Sequence, residues 1–235
     1  MRPPLPPELA PRLYARLTFQ KVDRVRYLSH LDLSRCFDRA VRRADLPVAY
    51  TEGFSPHARI MFASALGVGV AGEGELCALD LADFMRPDEI LRRLNAQLPP
   101  GLRVCEVRVE PRAKRSPFAN IARAVYDIRV DVQPDEARGS LPTAVEAMIA
   151  APELPVTRQT KSRVSEIDIR PGILALSAKP TSEPALTATL SIVEGSLVKP
   201  PEVVQTLEGF LSLAFGGQTQ LRLMSLTRTA LLECE

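Results

Sequence analysis

Residues 13–20 (LYARLTFQ) alternate apolar and polar side chains, the two-residue period of a strand with one buried face. After a turn around Asp23 the period changes. Ser29 stands where a helix N-cap belongs, with Asp32 three residues on. Leu33, Cys36, Phe37, Ala40, Val41 and Ala44 then fall on one helical face, and the pattern runs to Asp45. Pro47 stops it. A turn-rich run, TEGFSPHAR (51–59), leads into an apolar strand over 60–66. Gly67, Gly69, Gly72 and Gly74 loosen the chain before another strand over 75–81. Pro87 opens a helix to Leu98, with Asp88 and Glu89 at its positive end. The run PPG (99–101) ends that helix, and 102–109 alternates as a strand. The order is strand, helix, strand, strand, helix, strand.

The second half repeats this order. Residues 124–132 (AVYDIRVDV) predict a strand and 141–151 a helix. Residues 164–177 carry strand character interrupted at Pro171 and Gly172. Residues 185–193 (ALTATLSIV) alternate strictly, 200–213 form a helix opened by two prolines, and 221–232 close as a strand. Two successive βαββαβ units predict an α+β protein of two tandem ferredoxin-like modules, each an antiparallel sheet with both helices on one face. The halves share element order without clear residue identity. The expected division is a disordered, proline-rich tail at 1–11, a first module at 12–110, a basic linker at 111–120 and a second module at 121–235.

Composition narrows the function classes. At 46% hydrophobic residues, the 235-residue chain can fill two small cores. No run of 18 apolar residues predicts a membrane span, and the N-terminus has no apolar signal core, so a cytoplasmic protein is expected. Cys36, Cys77, Cys105 and Cys234 are too scattered for a clustered thiolate site. The glycines from 67 to 74 match neither GxGxxG nor a P-loop. The two histidines show no HxH or HxxxH spacing. No cofactor and no metal are therefore expected. With no Trp and 5% aromatics, a surface of many stacked bases is disfavoured. Net charge is +2, but residues 1–118 hold 19 Lys/Arg against 14 Asp/Glu, and residues 119–235 hold 11 against 14. The first half thus points to an anionic partner, unless the difference is ordinary surface variation.

Candidate chemistry gathers between residues 27 and 59. Both histidines, His30 and His57, lie there. Arg35, Arg39, Arg42 and Arg43 recur at helical spacing away from the apolar stripe, and Arg24, Arg26 and Arg59 extend the patch. Guanidinium forks suit phosphate oxygens, which makes this a candidate nucleic-acid face. The competing reading is a solvated face, with Asp32, Asp38 and Asp45 pairing part of it. Tyr50 and Ser55 flank the glycine-bearing loop as further substrate-binding candidates. Phe54 either anchors that loop in the core, the commoner role of a lone Phe, or stacks on a base. His30 and His57 are a candidate acid–base pair, with Asp32 to orient one imidazole. No nucleophile or oxyanion partner accompanies them. In the second half, KSRVSEIDIRP (161–171) places Glu166, Asp168 and Arg170 on one face of a strand, as a docking edge or a solvent-facing ion-paired side.

The strings YLSHLDL (27–33), RAVRRA (39–44), LPVAYTEGFSPH (46–57) and EIDIRP (166–171) resemble the bacterial radical-SAM-linked protein family. The likeness spans nearly the whole chain after the tail and is densest from 27 to 75. Thr51 stands where that family usually has serine. Members of that family are encoded beside, or fused to, a radical SAM protein. The resemblance thus implies a radical SAM protein partner on a separate chain rather than a reaction. This chain lacks the three-cysteine cluster motif and would be the accessory half. The tandem arrangement is also similar to the CRISPR repeat-processing endoribonucleases, whose glycine-rich loop precedes the last strand as Gly216 and Gly217 do here.

Three functions follow as expectations. The first is an RNA-binding accessory protein presenting tRNA or rRNA to the radical SAM partner. The second is a metal-independent endoribonuclease using His30 and His57. The third is a protein-only docking module for that partner, working through residues 166–171 or a sheet edge.

Overall fold

The structure is a computed structural model that describes residues 13–112, 115–159, 164–179 and 183–234. The expected tail at 1–11 lies outside the described residues. The chain divides into two compact units between Asn120 and Ile121. Each is α+β with antiparallel strand pairing, and together they hold four α-helices among the described residues.

The first unit runs β1 (Leu13–Lys21), α1 (His30–Arg43), β2 (Ile60–Phe62), β3 (Ala71–Leu81), α2 (Pro87–Asn95) and β4 (Leu102–Pro111). β1 lies between β4 and β3, and β2 pairs with the far side of β3, giving the order β4-β1-β3-β2. One face of β1, with Ala15, Leu17 and Phe19, packs into a core with Leu33, Phe37, Ala40 and Val41 of α1 and Ile90 and Leu94 of α2. These α1 residues belong to the predicted apolar stripe. Phe37 meets Phe19 and Phe62 edge-on, with ring centroids 5.0 and 5.7 Å apart. Ser29 caps α1, its Oγ accepting from the Asp32 N–H at 3.2 Å. Just before the helix, the buried Lys21 ammonium donates to the Leu28 carbonyl at 2.9 Å, tying the end of β1 to the helix entry.

β2 is shorter than the predicted strand, ending at Phe62, and β3 starts at Ala71, ahead of the predicted 75. Within 111–120, Pro111 completes β4 and Arg112 pairs with Asp80 at 2.8 Å. Phe118 is buried beneath the Arg16 guanidinium, 5.5 Å from the ring centre. Ala113 and Lys114 lie outside the described residues.

The second unit runs β5 (Ile121–Gln133), α3 (Leu141–Ala150), β6 (Pro155–Gln159), β7 (Val164–Asp168), β8 (Ile173–Lys179), β9 (Ala185–Ser191), α4 (Pro200–Phe215) and β10 (Gln220–Glu233). β5 lies between β10 and β9, with β8 outside β9, so the order β10-β5-β9-β8 matches the first unit's. The strand expected over 164–177 is two strands separated by a turn at Arg170–Gly172. Its first part pairs not with the main sheet but with β6, which the sequence pattern did not reveal. The β6–β7 hairpin is thus an insertion between α3 and β8. No helix among the described residues is long and apolar enough to cross a membrane.

Candidate functional site

The turn-rich motif is a closed loop bolted to α1. An isolated bridge between Tyr50 and Ala58 shuts its base. Inside it, the Thr51 N–H donates to the His57 carbonyl at 2.8 Å, and the His57 N–H donates to Thr51 Oγ1 at 3.0 Å. Gly53 turns the chain with φ +117°, a left-handed conformation that a Cβ disfavours. From α1, Asp38 accepts the Ala58 N–H at 2.7 Å and Arg42 Nε at 3.0 Å. Arg42 also donates to the Pro56 carbonyl and lies 4.9 Å over the Tyr50 ring. His57 Nδ1 stands 3.9 Å from the Asp38 carboxylate. Burial pushes the Asp38 pKa up, but the Ala58 N–H, the Arg42 guanidinium and the nearby imidazole outweigh it and hold the carboxyl below its ordinary range.

This clamp leaves Glu52, Ser55 and His57 exposed, and Phe54 fully so. The expectation that Phe54 anchors the loop in the core is overturned. Backbone bonds and Asp38 hold the loop instead, leaving the ring in solvent.

The four helix arginines have different surroundings. Arg42 is committed to the loop. Arg43 clasps the end of α2, donating to the Gln97 carbonyl at 2.8 Å. Arg35 lies 3.5 Å from Asp32, both exposed, an ion pair of little strength in water. Arg39 is exposed and has no ion pair or hydrogen bond among the described residues. Arg59 is exposed at the loop's far base, and Arg26 donates to the Tyr27 hydroxyl at 2.7 Å.

The two histidines are placed apart. His30 is the first residue of α1 and meets Phe62 edge-on at 5.2 Å. His57 faces Asp38, two turns further on, about 12 Å along the axis. His30 also points about 140° away from the Arg35–Arg39–Arg42 side of the helix. Asp32 is engaged with Ser29 and Arg35 rather than with either imidazole. The carboxylate beside His57 is Asp38, which the sequence placed only among the aspartates able to pair with the helix arginines, four residues before Arg42. Its contact with residue 58 spans 20 positions and left no local signal. Among the described residues, no three His, Cys, Asp or Glu side chains gather into a metal site.

In the second unit, Asp168 and Arg170 do not share a strand face. β7 ends at Asp168, whose Oδ1 accepts the N–H groups of Leu154 at 2.7 Å and Arg170 at 2.9 Å. Arg170 reaches the Ile149 carbonyl at the end of α3, at 2.9 Å, and the Ile173 carbonyl, at 3.2 Å. Both residues fasten the inserted hairpin and its exit. Glu166 is exposed opposite Thr157. Residues 161–163 of the same segment lie outside the described residues. Gly216 and Gly217 cap α4: Gly216 has φ +78°, and both N–H groups donate to the Ser212 carbonyl.

Fold and site thus define a two-unit α+β protein whose first unit displays a hydrogen-bonded loop against an arginine-bearing helix. The chain belongs to a bacterial family: the profile described as "Uncharacterized protein conserved in bacteria (DUF2344)" matches residues 14–200. No curated protein matches it.

Proposed function

We propose that this chain is an accessory protein of a radical SAM enzyme that binds an RNA substrate, tRNA or rRNA, on the α1–loop surface of its first unit. Two ferredoxin-like modules are the architecture we read here, supported by the equivalent strand orders β4-β1-β3-β2 and β10-β5-β9-β8, with the β6–β7 hairpin as an insertion in the second. The radical SAM association rests on the motif strings at 27–57 and 166–171. The RNA reading rests on one observation above all: Arg39 is exposed and without a partner among the described residues, on the helix whose Asp38 and Arg42 clamp a loop that presents an aromatic ring and an imidazole.

The roles within the patch divide accordingly. Arg39, with Arg35 released from its weak pair, contacts phosphates. Arg42 and Arg43 hold protein structure and set the shape of the surface. His57, steadied by Asp38, recognises the substrate. Each neutralised phosphate of a single strand adds about 0.7 to the slope of log affinity against log salt. Titrating labelled single-stranded RNA at several salt concentrations should show that slope fall by about that amount in Arg39→Ala. An undiminished slope removes Arg39 from the interface, and no binding by the wild-type chain at low salt rejects the RNA reading.

A further inference from the structure

We infer that Phe54 is a stacking platform for an unpaired nucleobase, so that the nucleic acid is single-stranded where it meets this loop. The inference rests on the RNA-binding reading and specifies the form of RNA the site takes.

A phenyl ring left in water forgoes the burial that drives folding. The same unit buries phenyl rings elsewhere, since Phe19 and Phe37 interlock with Phe62 in and against its core. Phe54 instead sits at the tip of a loop whose base is fixed by the Tyr50–Ala58 bridge, the Thr51–His57 bonds and the Asp38–Ala58 bond. A ring on so braced a loop loses little freedom on binding.

Its surroundings indicate what covers it. Phe54 is the one exposed large hydrophobic residue of the loop itself, with Met61 the next along the chain. A protein hot spot is ringed by packed neighbours that exclude water. Here the flanking loop residues are Thr51, Glu52, Gly53, Ser55, Pro56 and His57, all exposed, with exposed Arg59 just beyond. One aromatic face among polar and cationic groups matches a nucleotide, whose base stacks while its phosphate meets a cation. A duplex offers no free base face to such a ring.

The test uses the full chain and a labelled single-stranded RNA, with a perfectly paired duplex of the same sequence for comparison. Phe54→Ala should weaken single-strand binding about 5- to 150-fold, the effect of losing one base–aromatic stack. The salt slope should not change, because the ring neutralises no phosphate. Duplex binding should move little. Phe54→Trp should bind like wild type, and its indole, the chain's only one, should be quenched by the single strand. Single-strand binding that keeps its Arg39-dependent slope but is unaffected by Phe54→Ala, or an unquenched Phe54→Trp at saturation, overturns this inference alone. Absence of binding by wild type overturns the parent reading and this one together.

Discussion

Asp38 carries the most structure per atom in the first unit. One carboxylate satisfies a loop N–H, anchors an arginine that itself holds the loop, and faces an imidazole. Its folded pKa lies below the ordinary value of 3.8. A carboxyl shifted this way adds stability above its unfolded pKa and loses it as pH falls through the folded one. Asp38→Asn should therefore lower stability at neutral pH by about 1–3 kcal/mol, the cost of a broken charged hydrogen-bond set. The gap to wild type should close on acidification below 3.8. Urea denaturation at neutral and acid pH measures both, and a pH-independent gap would contradict the clamp. The i,i+4 relation of Asp38 to Arg42 was legible in the sequence because it is local. The bond to Ala58 and the exposure of Phe54 were not, because both depend on how a loop docks on a helix. The buried ammonium of Lys21 escaped notice similarly. Nothing in an alternating strand marks which polar end residue will be covered.

At the scale of elements, what local chemistry dictates was readable. α1 starts at its serine cap, α2 and α4 start at prolines, and the buried faces follow helical spacing. The β6–β7 hairpin escaped because its stability is not written in a hydrophobic period. β6 opens on a proline and contains a single large aliphatic residue, Val156, and Val164 of β7 is exposed. Beyond the buried Leu154 and Ile169 at the hairpin's base, polar fastenings from distant positions hold it. Arg158 grips Glu202 at the start of α4 through two bonds of 2.7 and 2.8 Å and donates to the Leu197 carbonyl at 2.6 Å. Burial raises the Glu202 pKa, but Arg158 and the Lys199 N–H outweigh it and hold the carboxyl low. Arg158→Ala should cost about 1.5–3 kcal/mol. Its effect should concentrate in the hairpin: amide exchange over residues 155–168 should accelerate well beyond that of β5 and β9. Uniform acceleration across the unit would mean the hairpin is held by something else.

For the whole molecule, the repeated element order visible in the sequence recurs in the two units only once the inserted β6–β7 hairpin is set aside, and the remaining strands have equivalent orders. The candidate chemistry was placed in the first unit by its charge, its two histidines and its motif strings, and charge alone does not distinguish a binding face from a solvated one. The structure shows which cations are engaged within the protein. Arg42 and Arg43 bind protein groups, whereas Arg39 has no such partner among the described residues. In the second unit, the Arg129, Arg138, Arg158 and Lys179 side chains all pair with carboxylates. Arg222 is nevertheless exposed and has no such pair among the described residues, so the case for the first unit rests on the positive excess of its side of the sequence, 19 Lys/Arg against 14 Asp/Glu over residues 1–118. Ultraviolet crosslinking of bound RNA followed by peptide mapping should place the adducts within residues 27–59, with Phe54 and His57 prominent. Raising the salt should remove these adducts in step with binding, because contacts that release counterions weaken together. Adducts concentrated beyond residue 120 would move the interface to the second unit, and with it the role assigned to the α1 arginines.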